Sequence, residues 1–495
     1  MTGFTATPQA LCDLCESLRD LRGKPFGAGA SSPASEGALC IGIDHRRTPR
    51  AGRPSRLRLL QVGWDNRLGQ AILAEGRTAM ASNLKMVSRT AFRQTLIAAA
   101  SALVLSGIAN AAPVTPEAAK AMQYSLITLD THLDTPANFA RPGWDMLDRH
   151  KVEDRSQVDY PRMVEGGLKG GFFAVYTPQG PRTPDGDNAA RDAALIRAME
   201  IHEMVARHGD KFELALKADD AAAIDARGKR FVFMSIENSY PLEADLSLMT
   251  TFQKLGVRLI GPAHFRNNDL ADSATDKPEW HGLSPKGKLF VAEANRLGMM
   301  LDASHSSDDV LDQMMALSKT PIVLSHSGCR AVFDHPRNID DAHLKALAAD
   351  GGVIQINTFS SYLIPLPKNP DRDTAMAALM KRADGPMTPE KEAALGAEMR
   401  AIEARYPAPR ATFEDFMNHL NHALKVAGVD HVGIGADMDG GGGVVGLEDV
   451  AGYWKITQRL MEEGYTREDL AKIWGGNLLR VMRRAEAYKA TLGAR

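Results

Sequence analysis

The chain has 495 residues, 44% of them apolar and 24% charged, with a formal net charge of -2. Those proportions exclude a disordered chain, a collagen-like repeat and a polytopic membrane protein, and the lack of a basic excess argues against a general nucleic-acid binder. The balance conceals two kinds of sequence: residues 1–111 carry 14 basic against 7 acidic residues, leaving 45 against 54 in the remainder.

The first part reads as targeting sequence rather than fold. Arg89 and Arg93 precede an uncharged apolar run from Leu96 to Ile108, which ends in Ala109-Asn110-Ala111. A basic segment, a short apolar core and an A-x-A site make a secretory signal peptide over 86–111, and the core falls short of the roughly 20 residues that span a membrane. Residues 1–85 are Gly, Pro, Ser and Arg-rich without periodicity, and we read them as an extension from a mis-assigned start, with translation expected from Met80 or Met86. Cys12-x-x-Cys15 then carries no zinc or redox role. Cys329 is the one cysteine after Cys40, so the rest of the chain cannot form an internal disulfide. The expected destination is the periplasm or beyond.

From residue 124 onward short apolar runs alternate with amphipathic stretches. Strands are expected at Leu126–Leu129, Gly171–Tyr176, Phe231–Ile236, Arg258–Pro262, Met299–Ala303, Pro321–Leu324, Gly352–Asn357 and His431–Gly435. Helical spacing marks Asn188–His208, Ser284–Leu297, Ser307–Leu317, Asp340–Ala349 and Phe413–Ala427. This eightfold alternation predicts a (β/α)8 TIM barrel over 112–495, with an open doubly wound sheet disfavoured because no Gly-rich fingerprint follows the first strand. Seven prolines between 365 and 409 mark 360–411 as an insertion after the seventh strand, either shaping a pocket or forming a surface excursion.

Barrel enzymes place their chemistry at the carboxyl ends of the strands. Here those ends carry Asp130, His132 and Asp134, then Glu237, His264, His305, His326, Asp437 and Asp439. In an extended segment His132 and Asp134 point the same way and can grip one ion. Imidazoles and carboxylates without thiolates suit Zn²⁺ at an open, catalytic site. Glu237 has oxygens for two cations, and two metals about 3.5–4 Å apart can share a water and lower its pKa, which is a hydrolytic arrangement.

The run D-x-H-x-D-T-P at 130–136, Glu237 after FVFMSI, His264 after a G-V-R-x-I-x-x strand, LDASH at 301–305, VLSHS at 323–327, HPRN at 335–338 and GVDHVGIGADMDGGGG at 428–443 resembles the membrane (renal) dipeptidase family of zinc peptidases, family M19, closest to its exported bacterial branch. The resemblance implies a binuclear zinc dipeptidase on a barrel of the metal-dependent amidohydrolase type. His132 and Asp134 would bind the first zinc, Glu237 would bridge, and His305 and His326 would bind the second. His264 would polarise the scissile carbonyl, Arg337 would pair with the terminal carboxylate of the substrate, and Asp437 would shuttle protons. Dipeptide substrates, no membrane span after signal cleavage and a homodimer as the candidate assembly complete the expectations. Leu133 and Asn238-Ser239-Tyr240 depart from the family pattern and are expected at the pocket wall.

Other readings stand beside this one. The same metal set could hydrolyse another amide or a lactone, or the chain could be a periplasmic metal- or peptide-binding protein without turnover. His264 and Asp437 favour an enzyme, since storage needs neither. Asp439 rivals Asp437 as the proton carrier. His281, His335, His419, His422 and His431 are expected to be structural or surface residues, Cys329 a packed one. No G-x-S-x-G elbow or phosphate loop is present. The Gly440–Gly443 run suggests close backbone approach or loop flexibility.

Overall fold

Strand β4 (Arg230–Ile236) shows how the sequence builds the core. Side chains alternate across a strand, and Phe231 and Phe233 join Leu129, Phe172, Leu259, Met300, Val323 and Val353 in one buried cluster, whereas Val232, Met234 and Ile236 belong to the cluster that packs beneath the helices. The first cluster takes one or more residues from seven strands and is the barrel interior. The helix Asn477–Gly493 closes its floor through Leu478, Val481 and Met482.

The computed structural model describes residues 113–493 apart from 155, 384–388 and 408. The expected signal peptide, the extension before it and the Cys12–Cys15 pair lie outside the described residues. Among these residues no helix is long and apolar enough to cross a membrane.

The strands in chain order are β1 Leu129–Leu133, β2 Gly170–Val175, β3 Phe212–Leu214, β4, β5 Val257–Ile260, β6 Met300–Leu301, β7 Val323–Cys329, β8 Asn338–Ile339, β9 Val353–Ile356 and β10 Val432–Ile434. Parallel pairing joins β1-β2-β4-β5-β6 in one sheet and β10-β9-β7 in another, with β3 beside β4 and β8 beside β7. Single parallel bridges, Asp302 to Val323 and Leu133 to Met438, close the two seams into an eight-stranded ring. At each seam a buried carboxylate adds a staple. Asp302 Oδ1 accepts from Ser325 N at 3.0 Å, and both oxygens of Asp130 accept from Ala436 N at 3.1 Å.

The barrel is therefore as expected, with local corrections. The first strand begins at Leu129, where its apolar run was expected to end. It continues because its polar residues are satisfied inside the barrel: Thr131 donates to the carbonyls of Ser325 and Ile434, and Asp130 accepts from His132 N and Tyr453. The short strands β3 and β8 went unpredicted, each having too few residues to show a period. Helix starts were legible through their caps, since Ser284, Ser307 and Asp340 each accept a backbone N–H from the first turn. In the 360–411 stretch the helix at Pro389–Arg405 has a partner, Pro370–Ala383, that was not foreseen.

Candidate metal centre

Alternation along β4 carries the residue after Ile236 to the inner side of the barrel, at the carboxyl end of the strand. That residue is Glu237. Its Oε1 lies 3.6 Å from His132 Nε2, 3.4 Å from His264 Nε2, 3.1 Å from His305 Nε2 and 3.4 Å from His326 Nε2. Four imidazoles, two from within β1 and β7 and two from beyond the ends of β5 and β6, thus converge on one carboxylate oxygen. Asp134 Oδ2 and Asp437 Oδ1 complete the cluster at 3.3 and 3.9 Å from His132 Nε2. His305 and His326 bring their Nε2 atoms within 2.8 Å of each other. All seven candidate residues are buried.

Burial pushes the Glu237 carboxyl well above the usual range, and Asp134 and Asp437 push the same way. Burial, offset by His132 and aided by Asp134, holds Asp437 up at about 8. Burial pushes His264, His305 and His326 down, with the Arg337 cation adding to it. His132 alone goes up, to about 10, because the Glu237 and Asp134 carboxylates outweigh its burial. The cluster is short of positive charge. His132 Nε2 also has no hydrogen-bond partner although it is buried, an orphan that a divalent cation would satisfy. Imidazole and carboxylate donors without thiolate fit such an ion.

Three of the donors' neighbourhoods are strained. Among described non-glycine residues, positive φ occurs at His281, His305 (67°), Asp437 (60°) and Asp439 (69°), a conformation costing about 1–3 kcal/mol each. The surroundings enforce it. The carbonyl of Asp437 accepts from Gly442 N at 2.7 Å, and Asp439 exchanges two bonds with Gln157, accepting from its N–H at 2.6 Å and donating N–H to its Oε1 at 2.8 Å. Asp439 is thereby committed to the loop around Gln157, which leaves Asp437 facing the cluster.

Gly440 settles the meaning of the glycine run. A Cβ there would lie 2.1 Å from Asp134 Oδ2 and 2.2 Å from Asp437 Oδ1, so the run serves close approach to the two carboxylates. Gly440→Ala should displace both, and elemental analysis of the purified variant should find reduced metal with an unchanged circular dichroism spectrum; activity is expected to fall about tenfold or more. Full metal occupancy would contradict this.

Arg337 is buried 11 residues beyond His326 in sequence, and donates from one terminal nitrogen to the His326 carbonyl at 3.1 Å. Its guanidinium lies 5.1 Å from the Tyr362 ring, while its Nε has no partner. Tyr362 comes from the start of the 360–411 stretch, which therefore does reach the site. Tyr176 and Phe265 flank His264 at ring separations of 4.9 and 3.8 Å. Nothing in the sequence pattern distinguished these three aromatic residues.

The two departures from the family pattern do not form the pocket wall. Leu133 is fully buried in the core beneath the helices. Asn238, Ser239 and Tyr240 spend their side chains on the carbonyls of Thr177, Gly261 and Pro181, tying the end of β4 to the loops after β2 and β5. His419 is buried and accepts from Cys329 N, His422 pairs with Asp341, and His335 accepts from Arg337 N, so these histidines hold backbone and neighbours in place. Burial pushes the Cys329 thiol up to about 12. A cavity of about 740 Å³ lies near the opposite ends of β5 and β6 beside Arg258 and Gly298 and contains none of the cluster.

The sequence model of the membrane dipeptidases, Peptidase family M19, matches residues 116–495. The chain belongs to that family. It is a metallo-dipeptidase by membership, and the donor cluster occupies the mouth where the fold places its chemistry. Dipeptidase tcpJ of Claviceps purpurea is 32% identical over 359 residues, covering 69% of this chain and 74% of its own. The probable dipeptidase PvdM from Pseudomonas aeruginosa has 30% identity and a TM-score of 0.66 over 75% of this chain and 98% of its own. A metallo peptidase from Rhodobacter sphaeroides, solved with a phosphinate mimic of the dipeptide L-Ala-D-Ala, has 26% identity and a TM-score of 0.57 over 72% of this chain and 99% of its own.

Proposed function

We propose that this dipeptidase uses two zinc ions bridged by Glu237 to hydrolyse dipeptides with a free terminal carboxylate. The observation that carries the reading is the placement of one Glu237 oxygen within 3.1–3.6 Å of four imidazole nitrogens. His132 and Asp134 would hold one ion, His305 and His326 the other, and Glu237 both. Zinc, when bound, polarises the scissile carbonyl and makes water acidic enough to attack it near neutral pH.

The chain's own groups supply the rest. His264 lies within the cluster but beside Tyr176 and Phe265, and it would orient the carbonyl oxygen through a hydrogen bond. Arg337 offers a planar fork with an unpartnered Nε, suited to the terminal carboxylate, and the fixed span from it to the cluster would place the peptide bond next to that carboxylate at the metals. The carboxyl of Asp437, facing the cluster, would take a proton from the attacking water and return it to the departing amine. The relative that binds an L-Ala-D-Ala mimic supports dipeptides with a terminal D residue among the substrates. The basic, apolar and Ala-x-Ala sequence of 86–111 supports export, with a mature start near Ala112.

Elemental analysis of active protein should find two equivalents of zinc, and no more than one would overturn the bridged pair. Dipeptide free acids should be cleaved far faster than their terminal amides. Equal rates would remove Arg337 from its anchoring role.

A further inference from the structure

We propose that Ser325, held by Asp302, fixes the ring tautomer of His326 and so presents its Nε2 lone pair to the metal centre; the role toward the metal rests on the reading above. Ser325 is fully buried directly before His326 on β7. Its Oγ lies 2.5 Å from Asp302 Oδ2 and 2.9 Å from His326 Nδ1.

Counting protons decides the direction of both bonds. A hydroxyl has one hydrogen to donate, and an ionised carboxylate only accepts. Asp302 also accepts the N–H groups of Ser304 and Ser325 at 2.9 and 3.0 Å, both on Oδ1. The Ser325 hydrogen therefore points to Asp302 Oδ2, and the remaining bond needs a hydrogen from His326 Nδ1. A neutral imidazole with its proton on Nδ1 carries the lone pair on Nε2, the atom that faces Glu237 and His305. The backbone of His326 is fixed as well, since its N–H donates to Ser304 Oγ at 3.0 Å.

His305 is controlled differently. Its Nδ1 is buried without a partner, and its ring is set by the left-handed backbone and by packing against His264 and Phe265 at 4.1 and 5.2 Å. Only one of the two imidazoles assigned to the second ion is directed by a hydrogen-bonded relay, so the relay can be perturbed alone.

Asp302→Asn should reverse the relay. The amide oxygen would keep the two backbone bonds, its NH2 would donate to Ser325 Oγ, and the hydroxyl hydrogen would turn to His326 Nδ1, leaving the ring proton on Nε2. Long-range ¹H–¹⁵N spectra of metal-free protein labelled at histidine should show the Nδ1–H tautomer for His326 in the parent and the Nε2–H tautomer in Asp302→Asn. Chelator competition should find zinc bound about 10- to 100-fold more weakly by Asp302→Asn and Ser325→Ala, the range for a lost orienting partner, with Ser325→Thr, which keeps the hydroxyl, near the parent. An Nε2–H tautomer in the parent overturns the relay, as does parental zinc affinity in both Ser325→Ala and Asp302→Asn. A parent that binds no zinc defeats the metal reading instead, while the tautomer still decides the relay without it.

Discussion

Glu237→Gln should lose metal and turnover together. The carboxylate sits at the geometric centre of four imidazoles, and the amide has the same outline with one neutral oxygen and an NH2 group. Whichever way it turns, one side of the amide presents hydrogens to imidazole nitrogens, and no charge would remain to offset the proposed pair of cations. Removing one partner from a buried charged set costs about 3–5 kcal/mol, which corresponds to two or more powers of ten in metal affinity. Elemental analysis after dialysis should find the variant largely empty, with kcat/KM reduced in proportion. A variant that keeps its full complement of metal and a near-parental kcat would show that Glu237 is not the shared ligand.

Asp437→Asn should instead keep metal and lose rate. Its carboxylate approaches His132 Nε2 to 3.9 Å, farther than Asp134 at 3.3 Å, and its backbone is held left-handed to face the cluster while Asp439 is tied to Gln157. An amide cannot accept and return a proton, so kcat is expected to fall about 10²- to 10⁴-fold, the contribution of a positioned acid/base group. Metal content measured on the same sample separates the outcomes. Loss of zinc in Asp437→Asn would make this residue a ligand, and an unaltered kcat would make it a bystander.

The sequence was most informative where an apolar run stops at a metal-type donor, as at Ile236-Glu237 and Leu324-Ser325-His326. The run fixes a strand, alternation fixes the facing, and the next polar residue falls at the mouth. It was least informative where polar residues are buried for long-range reasons. Nothing near Asp130 says that its carboxylate meets Ala436, 306 positions away, so the first strand was ended too early. Asp302 is equally silent, because its partner Ser325 lies 23 positions on, in the next strand. Hydrophobic periodicity reports apolar faces and is blind to a staple whose two halves are far apart in sequence. The wall residues Tyr176, Phe265 and Tyr362 share that limitation, since they reach His264 and Arg337 from three separate segments.

The seams that Asp130 and Asp302 staple also sort the metal donors. His132, Asp134, Glu237 and His305 come from the sheet containing β1 to β6, whereas His326 comes from the sheet of β7, β9 and β10. Each sheet is hydrogen-bonded within itself and meets the other at either edge through one parallel bridge and the side-chain bonds of Asp130, Thr131 and Asp302. An ion held by Glu237 and His305 on one side and by His326 on the other would act as a clasp between two half-rings, converting ligation free energy into cohesion of the barrel. A chelator would then do more than silence the enzyme: it would loosen the ring along one predetermined line, the seam between β6 and β7, and the cofactor of catalysis would serve equally as a fastener of the fold.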